Sequence, residues 1–130
     1  AVESVEKALP FYESLGLSLT QTEVVPTEKV RVGFLPLGNG CNIELLEPTA
    51  DDSPIAKFLR KRGSGIHHIC LRVKDLRATL ERLKASGVRL INETPVPGAH
   101  NCWVAFVHPH STGGVLIELS EPRNQPGDTP

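Results

Sequence analysis

The hexapeptide IELLEP at residues 43–48 returns as IELSEP at residues 117–122. Upstream of each copy lies a hydrophobic stretch with a shared V-x-F core, Val32-Gly33-Phe34 and Val104-Ala105-Phe106. Further upstream, ALPFYESLGL at residues 8–17 matches TLERLKASGV at residues 79–88 in its leucine and glycine placement. The offset grows slowly, from 71 residues between Gly16 and Gly87 to 72 between Phe34 and Phe106 and 74 between Glu44 and Glu118, as loop insertions produce. Three landmarks in the same order mark a duplication, and the chain reads as two tandem modules.

Each module reads as a helix followed by three strands. In the second, Asp75 is the expected N-cap, Leu76, Leu80 and Leu83 fall on one helical face, and Gly87 is the stop. In the first, Ser4 caps, Val5, Leu9 and Tyr12 form the stripe, and Gly16 closes the helix. Pro10 sits inside this helix and removes one backbone hydrogen bond. Strands are expected at 17–25, 30–35 and 41–47, then at 88–93, 102–108 and 115–120, each rich in Val, Ile and Leu and bounded by Pro, Gly or Asn. The segment SPIAKFLRKRG offers Ser53 as cap, Pro54 at the first helical position and Ile55, Phe58 and Leu59 as an apolar face, so it reads as a connecting helix.

A further strand, 67–73, precedes the helix of module two. Its counterpart in module one is expected to be largely missing, since Val73 maps onto Val2 and Arg72 onto Ala1. The expected organisation is α+β. A single domain spans 1–121, with module one at about 1–50, the connecting helix at 53–62 and module two at 66–121, followed by a disordered tail at 122–130.

Composition excludes several classes. Fourteen basic and fifteen acidic residues give a net charge of −1, without the basic field that nucleic-acid binding needs. With 22% charged and 39% hydrophobic residues the chain is globular in type. No apolar run approaches the ~18 residues of a membrane span. Cys41, Cys70 and Cys102 form no CxxC pair and read as buried thiols in a reducing compartment. The expected compartment is the cytoplasm, or the mitochondrial matrix in a eukaryote, with the qualification that a leader peptide would precede the first residue given.

Strand parity selects the chemical candidates. In HHICLRV, Ile69, Leu71 and Val73 share the face expected to meet the helix, with His67 at its edge, while His68, Cys70 and Arg72 point the other way. Ile43 and Leu45, like Ile117 and Leu119, share a face, so Glu44 and Glu118 project from the opposite one. If a pseudo-twofold sets equivalent strands side by side, Glu44, His68 and Glu118 converge. One imidazole with two carboxylates suits a divalent ion of Mn, Fe or Co type with positions open for substrate, and the lack of thiolates argues against structural zinc.

Other features read more plainly. Gly63-Ser64-Gly65 is a turn, His100, His108 and His110 are solvated, and Trp103 is packing. Lys57, Arg60, Lys61 and Arg62 are a solvated helix face, with a polyphosphate-bearing substrate as the alternative. No Ser/His/Asp-type nucleophile stands out.

With HHICLRV, VAFVHPHSTGGVLIEL, PGAH, DSPIAKFLRKRG and the paired IELLEP and IELSEP read, the chain resembles the methylmalonyl-CoA epimerases of the vicinal oxygen chelate (glyoxalase-like) superfamily over nearly all of residues 1–121. The resemblance implies paired βαβββ modules forming a cupped mixed sheet around one divalent metal, usually cobalt or manganese, an acyl-CoA substrate, a homodimer and a place in propionate metabolism. It also implies four ligands, of which the second to fourth fall on Glu44, His68 and Glu118, the residues parity selects. The first, a histidine on the first strand, has no counterpart in the sequence given. Asn101-Cys102-Trp103 after PGAH and His110 replace residues expected to be small or basic in the family.

Epimerisation removes the C2 proton between a thioester and a carboxylate and returns it on the opposite face. A metal on the substrate oxygens stabilises the enolate, and two bases flank C2. Glu118 is the first candidate, as ligand and base; Glu44, or more remotely Glu28 in PTEKV, is the second. The alternatives are a glyoxalase I-type lyase or related metal-dependent isomerase, and a non-catalytic ligand-binding member of the fold.

Overall fold

The computed structural model describes residues 1–124 and 129. Two compact units divide between His67 and His68. The first carries α1 (Val5–Ser14), an antiparallel sheet of β1 (Gln21–Val25), β2 (Val30–Pro36) and β3 (Asn42–Pro48) in that spatial order, and α2 (Pro54–Arg62). The second carries β4 (Ile69–Arg72), α3 (Leu76–Ala85), β5 (Val96–Pro97), β6 (Cys102–Val107), a 3-10 turn at Pro109–Ser111 and β7 (Ile117–Pro122). Its sheet order is β4-β7-β6-β5, with β4 parallel to β7 and the other pairs antiparallel. The α+β, mixed-sheet expectation holds.

In the first unit the Ser4 hydroxyl accepts the Lys7 N–H at 3.2 Å and starts α1. Val5, Ala8, Leu9 and Tyr12 then pack onto Leu35 and Leu45. Pro10 lies on the exposed side, where its lost hydrogen bond leaves a carbonyl that water can reach. Helix and sheet meet so closely over Gly33 that a Cβ there would stand 2.9 Å from Val5 Cγ1 and 3.0 Å from Leu19 Cδ1. The corresponding position of the second unit, Ala105, is wholly buried among Leu76, Leu80, Val107 and Leu119. Ser53, also wholly buried, caps α2 by accepting the Ile55 N–H at 3.1 Å.

The duplication extends to hydrogen bonds. Asp75 caps α3 through the Ala78 N–H at 2.9 Å, as Ser4 caps α1. Val73 N–H donates to the Ser120 carbonyl and Val2 N–H to that of Leu46, both at 2.9 Å. The first backbone N–H of each helix is taken by the last glutamate of a repeat: Val5 donates to Glu47 at 3.2 Å and Leu76 to Glu121 at 2.7 Å. A carboxylate at a helix N-terminus meets both the unpaired donors and the positive end of the dipole. Glu44 and Glu47, an odd number apart, lie on opposite faces of β3, so the second glutamate of the motif serves the helix side.

Several expectations are corrected. No strand runs over 88–93. Leu90 makes one isolated bridge to Val107, and Ile91 and Asn92 both direct N–H groups at the Phe106 carbonyl, at 2.9 and 3.3 Å. Asn92 Oδ1 in turn accepts the Phe106 N–H at 2.9 Å, so a side chain replaces the ladder. Pro95 and Pro97 lack donors, and β5 is only two residues long. The strand expected at 17–25 begins at Gln21, because Leu17 N–H turns back to the Tyr12 carbonyl to close α1.

Ile69 and Leu71 are not core: they are 49% and 51% exposed. Helix α3 lies over β6 and β7, and β4 is the sheet's edge beyond its cover, so only Val73 of this row reaches the cluster. The cysteines are not buried either. Cys41 and Cys70 are exposed and Cys102 is half-buried, the last two because they project from the sheet face opposite α3. Pro122, expected in the tail, closes β7, and Arg123 N–H donates to the Asn101 carbonyl. Residues 125–128 and 130 of that tail lie outside the described residues.

Candidate active site

In the second unit, the face of the sheet away from α3 carries Cys70 and Arg72 of β4, Glu118 and Ser120 of β7, and Phe106 of β6. Register fixes the neighbours: Cys70 pairs with Glu118 across β4 and β7, and Phe106 with Glu118 across β6 and β7. His68 enters this row just before β4. Its Nε2 lies 2.9 Å from Glu118 Oε2, with the two side chains 12% and 17% exposed. Cys70 Sγ stands 3.6 Å from Glu118 Oε1, a long sulfur contact to the second carboxylate oxygen. The Phe106 ring meets the imidazole edge to face at 5.4 Å between centroids. Glu118 is thus held at both oxygens by residues two apart in sequence, and the pair is walled by an aromatic ring.

In the first unit Glu44 occupies the equivalent position on β3. It pairs with Phe34 across β2 as Glu118 pairs with Phe106, and it projects from the face away from α1. Glu44 is exposed, beside the buried Leu46 and Phe34. Glu28 lies half-buried in the turn between β1 and β2, where its N–H donates to the Val25 carbonyl at 3.2 Å.

Of the residues selected from sequence, the structure brings His68 and Glu118 together and sets Glu44 at the matching register of the other unit. Sequence reading missed the contact of Cys70 with Glu118 and the wall formed by Phe106. Parity had put Cys70 on the right face, and the V-x-F repeat had marked Phe106, so both signals were present without a partner. His67 is not in the row; its ring packs edge to face on Phe58 at 5.1 Å. Trp103 packs on the α3 cluster with the Arg123 guanidinium 3.8 Å over its ring. His108 Nδ1 accepts the His110 N–H at 3.0 Å and starts the 3-10 turn.

An imidazole and a carboxylate in contact, with no thiolate needed, are donors of the kind that Mn, Fe or Co accept. The adjacent nitrogen and oxygen therefore fit as two ligands of a divalent ion. Among the described residues, no group of three or more His, Cys, Asp or Glu side chains forms a ready-made metal cage. Among the described residues, too, no helix is long and apolar enough to cross a membrane.

Comparison with known proteins places this geometry in context. Residues 1–106 match the glyoxalase/bleomycin resistance protein/dioxygenase superfamily. The mitochondrial methylmalonyl-CoA epimerase of Homo sapiens is 42% identical over 123 residues, covering 93% of this chain and 69% of the human protein. An ethylmalonyl-CoA/methylmalonyl-CoA epimerase of Cereibacter sphaeroides is 41% identical over 124 residues, covering 93% of this chain and 92% of its own length. The crystal structure of methylmalonyl-CoA epimerase from Mycobacterium tuberculosis superimposes with a TM-score of 0.89 at 41% identity, covering 94% of this chain and 83% of that one.

Proposed function

The chain belongs to the methylmalonyl-CoA epimerases of the glyoxalase/bleomycin resistance protein/dioxygenase superfamily, and from that premise we propose that it interconverts the R and S forms of methylmalonyl-CoA by moving the proton at C2. The observation that carries this reading is the Glu118 carboxylate, gripped by His68 at 2.9 Å and approached by Cys70 at 3.6 Å. A base must reach one C–H bond and hold its orientation through abstraction and return, and a carboxylate contacted at both oxygens is oriented before substrate arrives.

The proton at C2 lies between a thioester and a carboxylate, and its removal leaves an enolate spread over the thioester oxygen. Glu118 takes the proton from one face, becoming the carboxylic acid. A second acid on the opposite face delivers a proton to C2, which inverts the centre and leaves that group ionised. Over a cycle no redox change occurs and no group is lost. Glu44 is the first choice for the opposite side where it does not serve as a metal ligand, and Glu28 the second. His68 and Glu118, with Glu44 as third ligand in place of its acid role, would hold a divalent ion such as cobalt or manganese, which when bound would supply Lewis-acid stabilisation of the developing oxyanion. Phe106 keeps water from the His68–Glu118 pair on its side, which strengthens the electrostatic hold.

The partners in this reading are an acyl-CoA substrate and a second copy of the chain, as a homodimer, in the cytoplasm or the mitochondrial matrix. Conversion of enantiopure methylmalonyl-CoA to the racemate, followed by chiral analysis, tests the activity. Racemisation dependent on the protein supports it. Binding without inversion favours a ligand-binding member of the fold, and turnover of a glutathione hemithioacetal in its place favours a glyoxalase-type lyase.

A further inference from the structure

The row of side chains at the site is shaped from the far edge of β6 as well as from β4. On that edge Leu90 bridges Val107 and Val96 pairs with Val104, so residues 91–95 stand against residues 105 and 106 alone. A regular ladder cannot run through such a bulge, which leaves chain unpaired. Phe106 nevertheless has both of its backbone groups engaged there. Its carbonyl accepts the Ile91 N–H at 2.9 Å and the Asn92 N–H at 3.3 Å, and its own N–H donates to Asn92 Oδ1 at 2.9 Å. Asn92 is half-buried, and the next residue, Glu93, forms an exposed ion pair with Lys84 of α3 at 2.7 Å, which ties the bulge to the helix. In the first unit the matching Phe34 is held by backbone instead: the Thr20 N–H reaches its carbonyl at 3.0 Å, and Gln21 of β1 pairs with it in register.

The bulge reaches the site through Phe106. Residues facing each other across antiparallel strands exchange either both hydrogen bonds or neither. Phe106 turns both groups to residues 91 and 92, so with Glu118 it exchanges neither. In such a narrow pair the Cα atoms stand about 4.5 Å apart and the side chains crowd together. The Phe106 ring is thereby set against His68, edge to face at 5.4 Å between centroids, while His68 Nε2 meets Glu118 Oε2 at 2.9 Å. The outer torsion of a histidine side chain is broad, so its ring takes the direction its contacts impose.

We propose that Asn92 is a positioning residue for the site: its side chain replaces the missing ladder bond and fixes Phe106, and Phe106 holds the His68 imidazole on Glu118. Asn92 itself touches none of the reacting atoms. The effect on rate rests on the epimerase reading above; the effect on the ring pair does not. Without Oδ1 the Phe106 N–H loses its acceptor, and the narrow pair loses the clamp on its outer side.

Nuclear Overhauser contacts between the Phe106 and His68 rings, measured on the full chain beside its epimerase kinetics, test the proposal. The wild type and N92D, which keeps an oxygen at the same reach, are expected to show the ring contacts with kcat equal within about twofold. N92A is expected to lose the contacts and to lower kcat about tenfold at nearly constant KM, because misplacement of the reacting groups costs turnover more than binding. N92S, whose oxygen is one bond nearer the backbone, is expected to fall between them and decides the matter if N92A does not fold. In an F106L background, where the ring is gone, the further change in kcat caused by N92A is expected to stay within about twofold. Glu121→Ala, which removes the α3 cap, controls for lost stability: its Tm should fall with kcat unchanged.

Ring contacts retained in N92A would overturn the proposal, as would a kcat loss equally large in the F106L background or an equal loss in Glu121→Ala. If the wild type racemises nothing while N92A still loses the ring contacts, the epimerase reading falls and the positioning role stands. Racemisation by the wild type with the ring contacts unmoved in N92A gives the reverse.

Discussion

Glu44 and Glu118 occupy the same register of the same repeat, each opposite a phenylalanine, yet one stands exposed and the other is held at both oxygens. In the second unit β4 runs parallel to β7 and brings His68 and Cys70 against the glutamate. In the first, Val2 N–H on the Leu46 carbonyl is the corresponding contact. Duplication therefore builds the scaffold twice, and in the second unit β4 sets the environment of the carboxylate.

The sharpest way to break this comparison is to neutralise each glutamate. Glu118→Gln is expected to lower epimerisation by about 10²–10⁴, the range of a lost general base, and Glu44→Gln, which removes the acid proposed for the opposite face, to lower epimerisation while leaving proton exchange by Glu118 at C2. Steady-state kinetics and C2 isotope exchange on the two variants decide it, and full epimerase activity in Glu44→Gln would remove Glu44 from the opposite face.

The scaffold should respond more evenly. Gly33→Ala forces a methyl against the stiff Val5 side chain and Leu19, and about 1–3 kcal/mol of destabilisation is expected. Ala105→Gly, at the matching place under α3, removes a buried methyl and loosens a strand, for about 1–2 kcal/mol. Urea unfolding measures both, and a stabilising Gly33→Ala would show that the helix–sheet approach is slack.

Smaller still is the loss of each glutamate cap. Glu47→Ala and Glu121→Ala are expected to cost about 1 kcal/mol each, seen as a lower Tm. Glu47 should cost the more of the two, because it also accepts from Arg31 at 3.0 Å.

The smallest effect is a pH asymmetry. Two carboxylates of the first unit are held below their usual values: Asp52 chiefly by its hydrogen bond from Lys29, and Glu6 chiefly by a backbone hydrogen bond with help from Arg31. Such groups stabilise the folded state above their unfolded values, 3.8 for Asp52 and 4.5 for Glu6, and lose that contribution as pH falls through their folded values. Hydrogen exchange between pH 6 and pH 3 should show the first unit loosening first. Lys29→Ala should blunt the Asp52 part of that loss.

Much of this was legible before any coordinates. The Ser4, Ser53 and Asp75 caps, the apolar stripes of α1 and α3 and the outward parity of Glu44 and Glu118 follow from local periodicity, and local periodicity is what the folded chain keeps. What parity does not encode is lateral position. It tells that Ile69 and Leu71 share a face, not that α3 lies over β6 and β7 and leaves that face half open. The absent strand at 88–93 has a similar cause, since Asn92 satisfies Phe106 through its side chain and no backbone pattern announces that. The doubled role of the repeat, one glutamate for the site face and one for the helix, was written in the odd spacing of Glu44 and Glu47. It needed the helix N-termini in place to be understood.

The central claim is that Glu118, oriented by its neighbours on β4, moves the C2 proton. Incubation of methylmalonyl-CoA in deuterium oxide, with isotope at C2 read by mass spectrometry, tests it most directly. Wild-type protein is predicted to wash deuterium into C2 and Glu118→Gln to stop that exchange while still binding the thioester. Exchange that persists undiminished in Glu118→Gln would contradict the account.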